Sequence, residues 1–212
     1  MLNVCELYKS IQGESTHAGR VCAFVRLSGC NLSCSYCDTR YAFEGGTPRQ
    51  VEDIVDEVGA LGCDLVEITG GEPLLQDGTP ALCAALLAAG RTVLVETNGS
   101  IDIAKLPDGC IRIVDIKCPA SGMEGSFRIE NIAALCGRDE CKTVLCDKND
   151  FDWALSFVRK HQIHKRCTVL FTPAGGRLNP ADLAAWIVDS HAPVRMGLQM
   201  HKVIWGEDAR GV

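Results

Sequence analysis

Ser28–Thr39 reads SGCNLSCSYCDT and sets Cys30, Cys34 and Cys37 in the pattern C-x3-C-x2-C. The stretch directly follows the β-rich run that ends at Phe24–Leu27, which puts the three thiols on a loop at the end of a strand. Iron-sulfur clusters are held by Cys thiolates, usually four, so three thiolates on a 4Fe-4S cluster leave one iron open to another ligand. A closed zinc site needs a fourth donor, here His17 or a distant cysteine, and buried free thiols acting as small apolar groups are a third reading. Tyr36, beside the last cysteine, offers an aromatic surface next to the open position.

Working outward, short β-rich runs alternate with amphipathic stretches. Val21–Leu27, Leu65–Thr69, Thr92–Glu96, Ile111–Ile116, Cys141–Leu145 and Cys167–Phe171 read as strands. Thr47-Pro48-Arg49-Gln50 has the form of an N-cap, a first-turn proline and a capping-box glutamine. Val51, Ile54, Val55 and Val58 then make one apolar stripe that Gly62 ends. Further helices are expected over Ala81–Ala89, Asp150–His161 and Pro180–Ser190, the last capped by Asn179. About six βα units in order predict an α/β fold, a partial, open TIM-like barrel over 1–212 as one domain, with a hairpin-like extension at the amino terminus. Ligands of such folds gather at the carboxyl ends of the strands. The loops after Leu27, Thr69, Glu96 and Ile116 each carry polar, Gly or Cys residues there.

Composition narrows the chemistry. A closed barrel of eight units typically takes about 250 residues, and this chain has 212. No apolar run approaches the roughly 20 residues that span a bilayer, and Met1–Ser10 shows no signal-peptide pattern, so a cytoplasmic, non-membrane protein is expected. Thirteen cysteines without an export signal point to a reducing compartment and to metal chemistry rather than disulfides. A net charge of -6 without a basic tract argues against a nucleic-acid partner and for a small molecule.

The loop, as C-x3-C-x-(aromatic)-C, resembles the signature of the radical S-adenosylmethionine (SAM) superfamily, and TGGEP, Thr69–Pro73, after the next strand of the parallel series resembles that superfamily's second motif. The resemblance implies that SAM chelates the open iron through its methionine amino and carboxylate groups and that its reductive cleavage gives a 5'-deoxyadenosyl radical. SIQGES (Ser10–Ser15), Phe24–Thr39, TGGEPLLQ (Thr69–Gln76), VETNGS (Val95–Ser100), DIKCP (Asp115–Pro119) and LQMHKVIWGEDARGV (Leu198–Val212) are similar, in order and over nearly the whole chain, to one branch of it. That branch contracts a reduced pterin, turning 6-carboxy-5,6,7,8-tetrahydropterin into 7-carboxy-7-deazaguanine with loss of ammonia in queuosine and deazapurine biosynthesis. An activase that installs a glycyl radical on a partner protein and a non-catalytic iron-sulfur electron carrier are the competing readings.

The resemblance also assigns residues. Cys30, Cys34 and Cys37 hold the cluster, and Thr39 is the protein ligand of a Mg2+ shared with the substrate carboxylate. Tyr36, Cys37 and Asp38 lie along the adenine side of SAM, Gly71 and Glu72 at its methionine moiety, Glu96 and Asn98 at its ribose, and Asp115, Ile116 and Lys117 nearby. The resemblance would put Ser-Pro-Lys in many members where this chain has Asp115-Ile116-Lys117, a departure that leaves Lys117 better assigned than Asp115. Ile11, Gln12, Gly13, Arg26 and Thr69 contact the pterin, joined from the carboxyl end by Gln199 and His201, with Lys202 beside them. Arg26 stands out on its own terms, because a charge inside the apolar run Val25-Arg26-Leu27 is either paired or faces a site. A flavodoxin- or ferredoxin-type reductant and a homodimer are implied as well. The remaining cysteines, including Cys5, Cys136, Cys141 and Cys146, are expected to be buried small apolar residues, since Cys141 and Cys146 on one strand face opposite ways and cannot share a second cluster.

Overall fold

The computed structural model describes residues 1–207 and 209–212; Asp208, inside the carboxyl-terminal motif, lies outside the described residues. The elements are β1 (Leu2–Ile11), β2 (Val21–Leu27), β3 (Thr47–Arg49), α1 (Val51–Leu61), β4 (Leu65–Gly70), α2 (Thr79–Ala88), β5 (Thr92–Thr97), β6 (Ile111–Asp115), α3 (Asn131–Ala134), β7 (Glu140–Leu145), α4 (Lys148–His161), β8 (Thr168–Pro173), α5 (Pro180–Ser190), β9 (Arg195–Met196) and α6 (Met200–Trp205). All nine strands form one sheet in the order β3-β1-β2-β4-β5-β6-β7-β8-β9. From β2 to β9 neighbouring strands are parallel, and β1 runs antiparallel to both β2 and β3. β3 and β9 remain as edges, so the sheet is an open, partial barrel.

The regularity of the expected βα units breaks in the middle. Only a 3-10 turn, Ile103–Lys105, stands between β5 and β6, and only a second such turn, Pro119–Ser121, and the four-residue α3 stand between β6 and β7. Thr47–Arg49 is also not a helix cap. It pairs with Leu2–Val4 as the edge strand β3, and α1 begins after Gln50, which makes no side-chain cap bond. The local capping pattern loses to backbone pairing along the open edge of β1, where Pro48 is tolerated because edge strands can spare an N–H. The other helix signals match: Gly62 ends α1 in the left-handed region at φ 66, and the Asn179 side chain accepts from Ala181 N–H at the start of α5.

Each parallel strand alternates its side chains between two faces. The outer face carries the large apolar core, with Val25, Leu27, Val66, Ile68, Val93 and Val95 packed under the helices. On the inner face Cys22, Phe24, Leu65, Leu94 and Ile113 make a small apolar plug. Two residues further along each strand the inner row turns polar, as Arg26, Glu67, Glu96 and Asp115, with Thr69 above Glu67 and Lys142 on β7 opposite Asp115. The fold thereby presents a polar floor at the carboxyl ends of the strands.

At the other end of the core, Phe151 of α4 is 1% exposed and packs edge-on against Phe171 of β8 and at a tilt against Trp186 of α5. Phe151→Ala should cost about 3–5 kcal/mol of stability in urea unfolding; a loss below about 1 kcal/mol would show that this aromatic cluster does not hold α4 and α5 on the sheet.

Candidate active site

The cysteine loop is fastened on every side. Ser28 N–H donates to Asn3 O and Gly29 N–H to Ala42 O, Arg40 donates to Cys34 O at 3.0 Å, and Arg177 reaches Ser35 O at 3.0 Å. Cys37 N–H closes a turn on Cys34 O, and Leu32 N–H points at the Cys30 sulfur, 3.5 Å away. Cys30, Cys34 and Cys37 all line one cavity of about 420 Å3 at the carboxyl ends of the strands. Among the described residues no three His, Cys, Asp or Glu side chains stand close enough to hold a single metal ion. Three cysteines lining one cavity are the donor set that a 4Fe-4S cluster with one open iron would take. His17, the alternative fourth donor, faces Arg20 instead and does not line this cavity. Burial pushes the Cys30 and Cys34 thiols up, while the Lys117 cation beside Cys34 pulls the other way.

The TGGEP stretch is built against that loop. A Cβ on Gly71 would stand 2.0 Å from Gly29 O and 2.8 Å from the Cys30 Cβ, and one on Gly70 2.3 Å from Leu27 O, so only glycine permits the approach. Glu72 N–H donates to Gly29 O at 2.8 Å. The Glu72 carboxylate is fully buried and points away from the cavity, accepting from Leu74 N–H (2.9 Å), Thr97 Oγ1–H (2.8 Å) and Asn98 N–H (2.7 Å). Its oxygens are committed inside the protein, not offered to an ammonium group. Ile116 is likewise placed in the outer core, away from the cavity.

Every other residue singled out in the sequence lines the cavity. Arg26 donates to Glu6 at 2.6 Å and to Tyr8 Oη at 3.2 Å, so it is both paired and on the wall. Burial opposes its charge, but the groups around it raise its pKa, with the Glu6 carboxylate in direct contact. Lys117 bonds Asp115 at 2.7 Å and lies 5.7 Å over the Tyr36 ring. Asp115 Oδ1 and Tyr36 Oη are buried without a hydrogen-bond partner among the described residues. Both residues line the cavity, on the side where the resemblance puts SAM.

Sequence reading passed over part of the floor. Lys142 bridges Glu14 (2.6 Å) and Glu96, Glu67 accepts from the Gln12 amide, and Gln199 donates to Glu14 at 2.9 Å. Burial opposes the Lys142 charge, but Glu14 and Glu96 push its pKa well up, and the Glu14 carboxyl is held down by Lys142 against its own burial. Glu67 and Lys142 interrupt apolar strands as Arg26 does, and the argument applied to Arg26 would have found them. The carboxyl-terminal segment closes the cavity. Met200 N–H donates to Gly13 O, a Cβ on Gly13 would meet His201 Nδ1 at 2.3 Å, and Lys202 pairs with Asp38 at 2.6 Å. That pair, with the Thr39 hydroxyl, lowers Asp38 to about 2 despite burial. Ala209–Val212 also line the cavity, and Arg210 lies 4.2 Å over Tyr41. Cys5, Cys136 and Cys146 are only half-buried, unlike the other cysteines outside the loop.

An open α/β barrel with three thiols on its first strand-end loop and a glycine-rich loop packed behind them defines a radical SAM enzyme, and the radical SAM superfamily model matches residues 24–116. The 7-carboxy-7-deazaguanine synthase of Koribacter versatilis (strain Ellin345) is 44% identical over 226 aligned positions covering all of both chains. That of Chlorobaculum tepidum is 45% identical over 214, covering all of this chain and 97% of its own. The chain belongs to the 7-carboxy-7-deazaguanine synthase family. The crystal structure of QueE from Escherichia coli has the same fold, with a TM-score of 0.78 over 94% of each chain at 20% identity. Membership brings a 4Fe-4S cluster and SAM as cofactors. No described helix is long and apolar enough to cross a membrane.

Because Glu72 accepts three hydrogen bonds in the interior, Glu72→Gln replaces one acceptor by a donor and leaves a buried N–H unmatched. A loss of about 1–3 kcal/mol is expected in chemical unfolding, and wild-type stability in the variant would mean that the bracket does not hold.

Proposed function

We propose that this chain converts 6-carboxy-5,6,7,8-tetrahydropterin to 7-carboxy-7-deazaguanine with release of ammonia, as the names of its full-length relatives suggest. The observation that carries the reading is the single cavity lined together by the three cysteines, Asp115, Gln12, Arg26 and Thr69. When bound, the cluster and SAM supply a 5'-deoxyadenosyl radical that removes hydrogen from the pterin C6. The protein's part is to hold and orient the reactants. Arg26, paired with Glu6, is assigned to the substrate carboxylate. Gln12 keeps free capacity on its amide for the donor and acceptor edge of the pterin. Lys117 and Asp115 flank the Tyr36 ring on the SAM side, and Glu96, charge-paired to Lys142, is assigned to the ribose. The α6 segment, fastened through Met200 and Lys202, keeps water from the reacting carbon.

Thr39 is assigned to Mg2+. Its hydroxyl donates to Asp38 at 2.8 Å and lines the cavity, and one hydroxyl beside a substrate carboxylate suits an ion that keeps most of its waters. A one-electron donor of the flavodoxin or ferredoxin type and a homodimeric state complete the proposal.

Anaerobic, cluster-reconstituted protein with dithionite, SAM, Mg2+ and the carboxytetrahydropterin should form the deazapurine and ammonia while SAM is regenerated. SAM cleavage without deazapurine would contradict the assigned substrate, and no SAM cleavage at all would favour an electron carrier. In the same assay Thr39→Ala should lose about tenfold or more of the Mg2+ stimulation; undiminished stimulation would remove Thr39 from the metal shell.

A further inference from the structure

Around Lys142 in the floor of the cavity stand the carboxyl groups of Glu14, Glu67 and Glu96. Lys142 is spent on Glu14 and Glu96, and neither the lysine nor Lys117 reaches Glu67. Glu67 is 3% exposed in the middle of β4; the Gln12 amide donates to its Oε2, and Glu96, on the same inner face of the adjacent parallel strand, is the carboxyl that pushes it up most. Two carboxyl groups on adjacent strands of one face do not both ionise readily, and of the two only Glu96 bonds a cation. The charge belongs on Glu96 beside Lys142, and the proton on Glu67.

We propose that Glu67 is a positioning residue, held as a neutral carboxylic acid that accepts from Gln12 and donates to Glu96, so that the substrate-side amide and the cofactor-side carboxylate stand on one hydrogen-bonded chain. The chain continues from Glu96 through Lys142 and Glu14 to Gln199, and Glu14 N–H returns to Gln12 Oε1 at 2.8 Å. Gln12 is thus held at both ends of its amide, with the amide nitrogen fixed toward Glu67 and the oxygen toward the Glu14 backbone. An ionised Glu67 would have no proton to give Glu96 and would repel it.

The other groups around Glu67 agree. Besides Glu96 of β5, Lys142 of β7 and Glu14 after β1, it faces Tyr8 of β1 and the Cys22 thiol of β2. Tyr8 and Cys22 are themselves pushed up by burial and bring no charge at neutral pH. Burial, then Glu96, drive the Glu67 carboxyl well above the usual carboxylate range, and Lys142 only partly opposes them. Because the folded state binds a proton that the unfolded chain has lost above its ordinary carboxylate range, this group makes stability fall as pH rises from there toward the folded value.

The role assigned to Gln12 and Glu96 rests on the proposed function, so the test has one arm without turnover. In the wild-type minus Glu67→Gln infrared difference spectrum of the reconstituted enzyme at neutral pH, the C=O stretch of a protonated carboxylic acid should appear. Its absence, with a carboxylate band in its place, overturns the proposal whatever the enzyme catalyses. In thermal unfolding the advantage of Glu67→Gln over wild type should grow from pH 5 to pH 8, and a constant difference overturns the neutral acid. In the product assay Glu67→Gln, which can accept from Gln12 and donate to Glu96, should retain kcat/KM within about threefold and lack the alkaline loss of wild type. Glu67→Ala should lose about tenfold or more. Equal damage in the two variants, or an unchanged alkaline limb in Glu67→Gln, overturns the positioning role. Failure of wild type to form product would instead defeat the proposed function and leave the infrared result standing.

Discussion

One buried carboxylate, that of Glu72, ties three successive strand-end loops into a single rim. Its backbone N–H reaches Gly29 in the cysteine loop, and its side chain takes Leu74 N–H from its own loop and Thr97 and Asn98 from the loop after β5. Burying a carboxylate is expensive unless its oxygens are satisfied, and here the hydrogen bonds that satisfy it belong to the loops that must stay in register. Gly70 and Gly71 make the arrangement possible by letting backbone lie on backbone. The distance between the thiols and the SAM side of the cavity is therefore set by main-chain contacts, which move little, and not by flexible side chains.

Below that rim the inner face changes character within two residues of each strand, from the apolar plug of Phe24, Leu65, Leu94 and Ile113 to the charged floor of Arg26, Glu67, Glu96, Asp115 and Lys142. The floor is electrostatically closed on itself: Arg26 with Glu6, Lys117 with Asp115, Lys142 with Glu14 and Glu96. A buried ion pair contributes little net stability compared with apolar packing, so this layer is explained by what it holds in place. Among the described residues it leaves Asp115 Oδ1 and Tyr36 Oη without partners.

Much of this was legible in the chain because the decisive signals are local. The cysteine spacing, the glycines before Glu72 and the period-two runs of β2 and β4–β8 depend on neighbours in sequence, and six of the seven parallel strands lie where the alternation puts them; the two-residue β9 was too short to show. What escaped depends on distant partners. Thr47–Arg49 looks like a helix start until Leu2–Val4 pairs with it across more than forty residues. Glu72 looks like a ligand to a cofactor until Thr97 and Asn98 take its oxygens. Glu14 and the tail Ala209–Val212 lie inside motifs, but their place at the cavity depends on distant partners: Lys142 of β7 and Gln199 for Glu14, and the return of the carboxyl-terminal segment over Gly13 for the tail.

The central claim is that three thiolates leave one iron of the cluster open to SAM. Electron paramagnetic resonance of the dithionite-reduced enzyme, recorded before and after SAM is added, reads that iron directly. The account predicts that SAM changes the cluster's g values in wild type; a spectrum identical with and without saturating SAM would contradict it.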